Sequence, residues 1–519
     1  MIKCVNNSEA NDWRSPNDGS LPPCSQKFIT LYYGNLIFSH ICQIIFFTFE
    51  NSFAMGGFLQ AIDSAIVWYN DYIGGYAVLL FLIPTGLYFI FKLRFLNVWA
   101  LPHSIKVVAG KYDKKGDEGD VNHFKALTTA LSATVGTGNI VGVSLAIYFG
   151  GPGAVFWMWV TGFLGMILKY TECTLSHKYR QFNSDGSVSG GPMYYMEHGL
   201  KKQLGKWAKV LALIFGAATI LASIGTGNMA QANSISNAFH HTYGIANWIT
   251  GTAIAGLTLL IIIGGIKRIA EVTVLLVPVM AVLYFVSAVV VIGANYENIP
   301  HSFYIIFHDA FTGTAAAGGF VGSTFMMTMI WGVRRGLFSN EAGQGSAPIA
   351  HAAAKTEYAA REGLVASLEP LIDTLIICTL TALLIIDTGA WQSGIQGVGM
   401  TVTAMDTGLG RLGLPNIGNH IVTIGLFLFA FSTIIAWSYY GSRASIYLFG
   451  EKSVKPYQII FGIFVFFGSI WGLDLVWHFV DMVITFMTIP NLIALLLLSP
   501  VVIKETRYYF DEMRKKGIY

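Results

Sequence analysis

Eleven apolar segments, each long enough to cross a lipid bilayer as a helix, follow one another along this 519-residue chain. A helix needs ~17–25 mostly apolar residues to cross the hydrocarbon layer. The strands of a membrane β-barrel would instead alternate polar and apolar residues over ~10 positions. The sequence therefore predicts an all-α integral membrane protein. The predicted spans are about 75–95, 123–148, 153–176, 208–235, 247–263, 271–293, 308–333, 363–387, 419–447, 457–476 and 480–503.

The distribution of charge supports this number of spans. Only 12% of the residues are charged, against roughly 25% in a soluble domain. After residue 54, 28 of the 29 Lys and Arg residues lie in alternate connections, and Arg411 alone lies in the others. The positive-inside rule places the basic connections in the cytoplasm. We expect a plasma (inner) membrane protein whose eleven-helix core starts outside and ends in a basic cytoplasmic tail, 504–519. The formal charge of +3 gives no reason to expect a nucleic-acid partner.

The first 54 residues admit three interpretations. The apolar stretch 28–49 is long enough for a twelfth helix, and Ser52, Phe53 and Ala54 resemble the cleavage site of a signal peptide. Alternatively, Met55 is the true start of the protein. Residues 55–122 are predicted to form a leading helix and a basic cytoplasmic loop.

The densest polar motif lies inside the second span, where Gly136, Thr137, Gly138 and Asn139 interrupt an apolar helix. A helix broken inside the membrane exposes backbone N–H and C=O groups, which are tolerated only where they line a site or cavity. Such groups attract carboxylates and cations. The alternative is a helix-packing surface, because Gly138 and Gly142 form a GxxxG pair.

The same tetrapeptide recurs in the fourth span at 225–228, and Asn228 and Gln231 are expected to face one cavity from it. They could instead only bind neighbouring helices. A second glycine-rich interruption, containing Gly318 and Gly319, lies in the seventh span. Spans two and seven are the first helices of two five-helix blocks, 123–293 and 308–503. A block with an odd number of spans ends on the opposite side of the membrane from where it starts. The blocks therefore enter the membrane with opposite orientations, an arrangement typical of transporters.

Two further groups carry polar chemistry inside spans. Ser432 and Thr433 in the ninth span offer hydroxyl oxygens for a small cation, and Trp437 lies one turn further on. The alternative is that the hydroxyls bind their own helix. Asp373 is the one carboxylate expected near a membrane midplane, where it would relay protons, pair with a cation or bond to a neighbouring helix. No motif of a membrane enzyme accompanies it.

Five stretches resemble the alanine or glycine:cation symporter family. The most specific is the eleven-residue run 150–160, GGPGAVFWMWV, and the others are 134–142, 190–196, 336–343 and 437–441. The resemblance extends from about residue 70 to 505. It implies a leucine-transporter-like 5+5 inverted repeat, preceded by one extra helix.

The resemblance also implies site residues, and it implies Na⁺ as the co-transported ion without an organic cofactor. Gly136, Thr137, Gly138 and Asn139 would hold the amino-acid carboxylate and a sodium ion. The Val135 carbonyl and the hydroxyls of Ser432 and Thr433 would form a second sodium position. The substrate pocket would be shaped by Gln231, Gly318, Gly319 and Trp437.

We therefore expect a sodium-driven symporter of alanine or glycine that works by alternating access and is not an enzyme. A proton-coupled carrier that uses Asp373 is the first alternative. A channel is the second, although the polar residues converge within one chain rather than forming rings of like charge. The sequence leaves the oligomeric state open.

Overall fold

The structure, a computed structural model, describes residues 60–114, 116–182, 188–315 and 322–518. The three interpretations of residues 1–54 fall outside the described residues. Residues Asp63–Tyr519 form one packed unit. Apart from a two-stranded antiparallel hairpin, β1 (Gln181–Phe182) and β2 (Val188–Ser189), the named elements are helices. The prediction of an all-α protein is confirmed.

Twenty helices are numbered here in chain order. Their bounds are α1 Gln60–Lys92, α2 Leu96–Trp99, α3 Leu101–Val108, α4 His123–Thr134, α5 Gly138–Gly150, α6 Ala154–Lys178, α7 192–199, α8 Lys201–Leu204, α9 Trp207–Tyr243, α10 Asn247–Ile262, α11 Gly265–Ala294, α12 Ile299–Thr312, α13 Phe325–Asn340, α14 Ala347–His351, α15 Ala359–Asp387, α16 Val398–Arg411, α17 Ile417–Phe449, α18 Glu451–Ile470, α19 Leu473–Leu497 and α20 Ser499–Lys515.

Eight of the described helices are long and apolar enough to cross a membrane, and the bent pair α4–α5 adds a ninth span. Two 16-residue helices, α10 and α13, lie near the positions predicted for the fifth and seventh spans. The predicted seventh span, 308–333, is wrong in its bounds. The chain leaves helix α12 at Thr312, forms an antiparallel bridge between Thr314 and Ser323, and enters α13 at Phe325.

This shift also moves two charges. Arg334 and Arg335, which come directly after the predicted seventh span, belong to helix α13. The Arg335 side chain is 1% exposed, pairs with Asp481 and lies over the ring of Trp477 at 4.9 Å. A carboxylate and an aromatic face thus stabilise the charge of this buried guanidinium.

The turn between α5 and α6 is formed by the Gly-Gly-Pro-Gly run. Gly151 has a φ of 73°, a conformation that favours glycine, and its N–H donates to the Ile147 carbonyl at 2.8 Å. Pro152 follows where a missing N–H is harmless. This short turn brings α5 and α6 back to back, and helix α13 packs against both.

Helix α17 lies at the centre of the bundle and α11 at its edge. Helix α17 packs against α4, α9, α11 and α16. In its most apolar stretch of 18 residues, 78% of the residues are buried, against 28% in the corresponding stretch of α11. Leu275, Val279, Val282 and Val286 of α11 are more than half exposed and recur at helical spacing. Such a face suits lipid rather than water. The polar residues of α17 therefore face protein, where they can form a site.

Candidate functional site

The predicted break in the second span is present. Helix α4 ends at Thr134, α5 begins at Gly138, and the two axes differ by 51°. Val135 is extended, with φ −76° and ψ 90°. The side chains of Val135, Thr137 and Asn139 are all at most 2% exposed. A buried break needs partners for its backbone groups.

Two amide side chains supply those partners. The Gly136 N–H donates to Asn139 Oδ1 at 3.0 Å, and the Thr137 N–H donates to Gln231 Oε1 at 3.0 Å. The Gln231 Nε2 group in turn donates to the carbonyl of Thr226. Gln231 thus joins the break to helix α9, as the sequence suggested for a residue facing the interior.

Asn228 does not face the same cavity as Gln231. Its Nδ2 group donates to the Phe461 carbonyl of α18 at 2.6 Å. The stretch Gly225–Met229 winds as a wider, π-helical turn, so the spacing of an ordinary α-helix does not apply across it. The expectation that both residues face one cavity is therefore wrong, and Asn228 connects two helices.

Asn139 also joins the break to helix α15. Its Nδ2 group donates to Asp373 Oδ1 at 2.7 Å and to the Asp373 carbonyl at 3.1 Å. The other carboxylate oxygen, Oδ2, accepts from Ser339 of α13 and from Thr374, both at 2.7 Å. Asp373 is 0% exposed. One carboxylate therefore fixes the relative positions of α5, α13 and α15.

Helix α17 also contacts the break, through two hydroxyl side chains. The hydroxyls of Ser432 and Thr433 donate to the Ser132 carbonyl in the last turn of α4, at 3.4 and 3.0 Å, and also to their own helix at Phe429. A Cβ atom on Gly136 would lie 2.5 Å from Thr433 Oγ1, so only glycine fits there. Each hydroxyl has one proton to donate: Ser432 lies closer to the Phe429 carbonyl of its own helix, at 2.8 Å, and Thr433 lies about equally close to both carbonyls. A cation site formed by these hydroxyls with the Val135 carbonyl stays a prediction.

A second non-helical segment, 341–346, lies between α13 and α14 and is not among the predicted site residues. Glu341 is 2% exposed and has a φ of 54°. Its carboxylate accepts from the indole N–H of Trp437 at 2.8 Å and from the Ser346 hydroxyl at 2.5 Å. Asp373 is thus not the one buried carboxylate near the break. The signal in the sequence was a carboxylate followed closely by Gly343 and Gly345, both with positive φ.

Trp437 closes this side of the break. It is 0% exposed, and a Cβ atom on Gly227 would lie 2.2 Å from Trp437 Cβ. Gln231 and Thr433 contact the break itself, whereas Trp437 contacts Gly227 of α9 and Glu341. A shared substrate and ion site for these residues stays a prediction. Gly318 and Gly319 fall outside the described residues.

A chain of buried charged and titratable groups lies near the other end of α4. Lys169 Nζ is 3.0 Å from Glu369, the Glu369 carboxylate is 2.6 Å from His351 Nε2, and Glu362 lies 2.5 Å from both His351 and His123. All five side chains are at most 1% exposed. They come from α4, α6, α14 and α15, so the cluster joins four helices at the first turn of α4.

Comparison with known proteins finds a family and several similar sequences. The family model for the sodium:alanine symporter family matches residues 59–518. The sodium/alanine symporter AgcS of Methanococcus maripaludis is 43% identical, with 86% of this chain and 96% of that protein aligned. A probable sodium/glutamine symporter, GlnT of Bacillus subtilis, is 35% identical over 88% of this chain and 92% of GlnT. The crystal structure of MhsT with L-phenylalanine aligns with 75% of this chain and all of MhsT, at 14% identity and a TM-score of 0.48.

A helical membrane bundle with a buried, polar helix break at its centre defines the class of this protein as a multi-pass membrane transporter. The comparisons are specific enough to go one step further. The chain belongs to the sodium:alanine symporter family, and the family resemblance seen in its sequence is confirmed.

Proposed function

We propose that this protein imports alanine or glycine together with Na⁺ by alternating access between two inverted five-helix blocks, 123–293 and 308–503. The observation that carries the proposal is the buried break between α4 and α5, where backbone N–H groups, amide groups and hydroxyls meet inside the membrane. The names of the relatives include both an alanine and a glutamine symporter, so the substrate is part of the proposal.

Each proposed role follows from the contacts at the break. The N–H groups of Gly136, Thr137 and Gly138 suit the substrate carboxylate, because a half-helix N-terminus favours an anion. The hydroxyls of Ser432 and Thr433 and the carbonyls that end α4, including Val135, suit Na⁺, which takes oxygen ligands. Asn139 is proposed to contact both.

The remaining residues limit the size of the substrate. Trp437 packs directly on Gly227, and Gln231 is already bonded to the break. We propose that these two side chains exclude large substrates, which favours alanine or glycine. Gly318 and Gly319 are proposed as part of the same pocket. We also propose that the core begins outside the cell and that its C-terminus is cytoplasmic.

Uptake of labelled alanine into proteoliposomes tests this function. We expect saturable uptake that requires an inward Na⁺ gradient and that unlabelled glycine inhibits. A proton gradient in Na⁺-free buffer should drive no uptake. If it does, and Asp373→Asn abolishes that uptake, proton coupling replaces the proposal. Conductance without saturable alanine uptake would indicate a channel.

Removing the Thr433 hydroxyl should weaken Na⁺ binding. For Thr433→Val we expect the Na⁺ concentration for half-maximal alanine uptake to rise about tenfold, which corresponds to the loss of one polar contact. Thr433→Ser should restore it. The matched control is Thr423→Val on the same helix, since Thr423 is equally buried but bonds to Thr242. An unchanged Na⁺ dependence in Thr433→Val would remove this residue from the ion site.

A further inference from the structure

A cavity of about 550 Å³ lies where the end of helix α1 meets helix α20. It is separate from the break between α4 and α5, and none of its residues belongs to the proposed site. Its lining combines basic, aromatic and apolar side chains: Tyr88, Lys92, Ser499, Pro500, Ile503, Lys504, Arg507, Tyr508 and Asp511.

The cavity carries an excess of positive charge. Lys92, Lys504 and Arg507 line it, and within the described part of the chain none of the three lies within 4.0 Å of a carboxylate. The one acidic lining residue, Asp511, forms an ion pair with Arg514 at 3.6 Å. Three cations that the protein leaves without an anion form a site for an external anion.

Helix α20 presents these cations because it is amphipathic. Its protein-facing side buries Ser499, Val502, Thr506, Tyr509, Phe510 and Met513. The residues on its other side recur at spacings of three and four positions and line the cavity. They are Pro500, Ile503, Lys504, Arg507, Tyr508 and Asp511. The Tyr88 hydroxyl lies 3.0 Å from Ser499 Oγ and joins α1 to the start of α20.

An exposed apolar track on α1 leads to the cavity. Tyr76, Leu80, Leu87 and Phe91 follow one side of this helix, with 44, 71, 43 and 66% of each residue exposed. Lys92, next to Phe91, then lines the cavity. In a membrane span, exposed apolar residues contact acyl chains, whereas Lys and aromatic residues at the span's end lie at the level of the headgroups.

We propose that this cavity binds the phosphate headgroup of an anionic phospholipid, with the acyl chains of that lipid lying along α1. The three basic side chains match the charge of the phosphate, and the adjoining apolar track matches the acyl chains. A free phosphate ion would use the cations but not the track. Basic pockets at the membrane surface recognise lipid headgroups by this chemistry.

Native mass spectrometry of the full-length protein in detergent tests the proposal. The probes are phosphatidylglycerol, phosphatidylcholine and inorganic phosphate. The test variant is the triple substitution Lys92→Gln, Lys504→Gln and Arg507→Gln. The matched control is the triple Lys201→Gln, Lys202→Gln and Lys206→Gln, which removes the same charge from exposed lysines outside the cavity.

We expect the protein to retain phosphatidylglycerol in preference to phosphatidylcholine. Each single substitution should weaken that binding about fivefold, and the triple about a hundredfold. The control triple and Lys504→Arg should bind as the unmodified protein does. Equal retention of the two lipids, or an equal loss in both triples, would overturn the proposal. So would displacement of the lipid by millimolar inorganic phosphate, because the site would then be one for free anions.

Discussion

Asn139→Ala is expected to abolish alanine uptake while leaving the amount of folded protein in the membrane near normal. The substitution removes the acceptor of the Gly136 N–H and the donor to Asp373. Each buried group that loses its partner costs ~1–3 kcal/mol. The loss of these hydrogen bonds destabilises the conformation of the break and its contact with α15. Uptake by proteoliposomes containing equal amounts of folded protein should fall at least a hundredfold.

The control for this variant is Asn233→Ala. Asn233 is as buried as Asn139 and donates to the carbonyls of Gly468 and Trp471, but it is not bonded to the break. We expect it to lower stability and to leave the uptake per folded molecule within about threefold. If Asn139→Ala behaved in the same way, Asn139 would serve only to hold helices together.

Lys169→Met is expected to cause the largest loss of stability. The Glu369 carboxylate would lose its lysine partner while remaining 0% exposed. Breaking a buried ion pair from one side costs about 3–5 kcal/mol. The thermal unfolding midpoint of the purified protein should fall clearly. The double variant Lys169→Met/Glu369→Gln should recover most of the lost unfolding temperature, since the glutamine is neutral and keeps an acceptor for His351.

Helix α6 supplies the matched control. Lys178 pairs with Glu505 at 2.8 Å, but the lysine side chain is 47% exposed. Pairs of this kind contribute ~0–1 kcal/mol. Lys178→Met should therefore barely change the unfolding midpoint. An equal fall in Lys169→Met and Lys178→Met, or no recovery in the double variant, would contradict a role for the buried pair.

The sequence predicted what depends on local composition. The break at Gly136 and Thr137 follows from the glycines and threonines that interrupt an apolar helix. The residues that meet at the break, Gln231 and Thr433 among them, could be chosen because polar side chains in spans face protein.

Other features depend on tertiary packing, which spacing alone does not give. A wider helical turn at 225–229 directs Asn228 to α18, and the period of an α-helix cannot predict such a turn. The role of Glu341 cannot be predicted from spacing, because its partners, Trp437 and Ser346, become neighbours of one carboxylate only after folding.

The two side-chain amides that bind the backbone of the break also bear on the affinity of the proposed substrate site. The N–H groups of Gly136 and Thr137 already have oxygen partners in Asn139 and Gln231. Under the proposed function, an incoming substrate carboxylate would exchange with these oxygens rather than fill empty positions, so the net gain in free energy per hydrogen bond would be small. Such an exchange would favour rapid release over tight binding, because the side chains of Asn139 and Gln231 would take back the N–H groups as the substrate leaves.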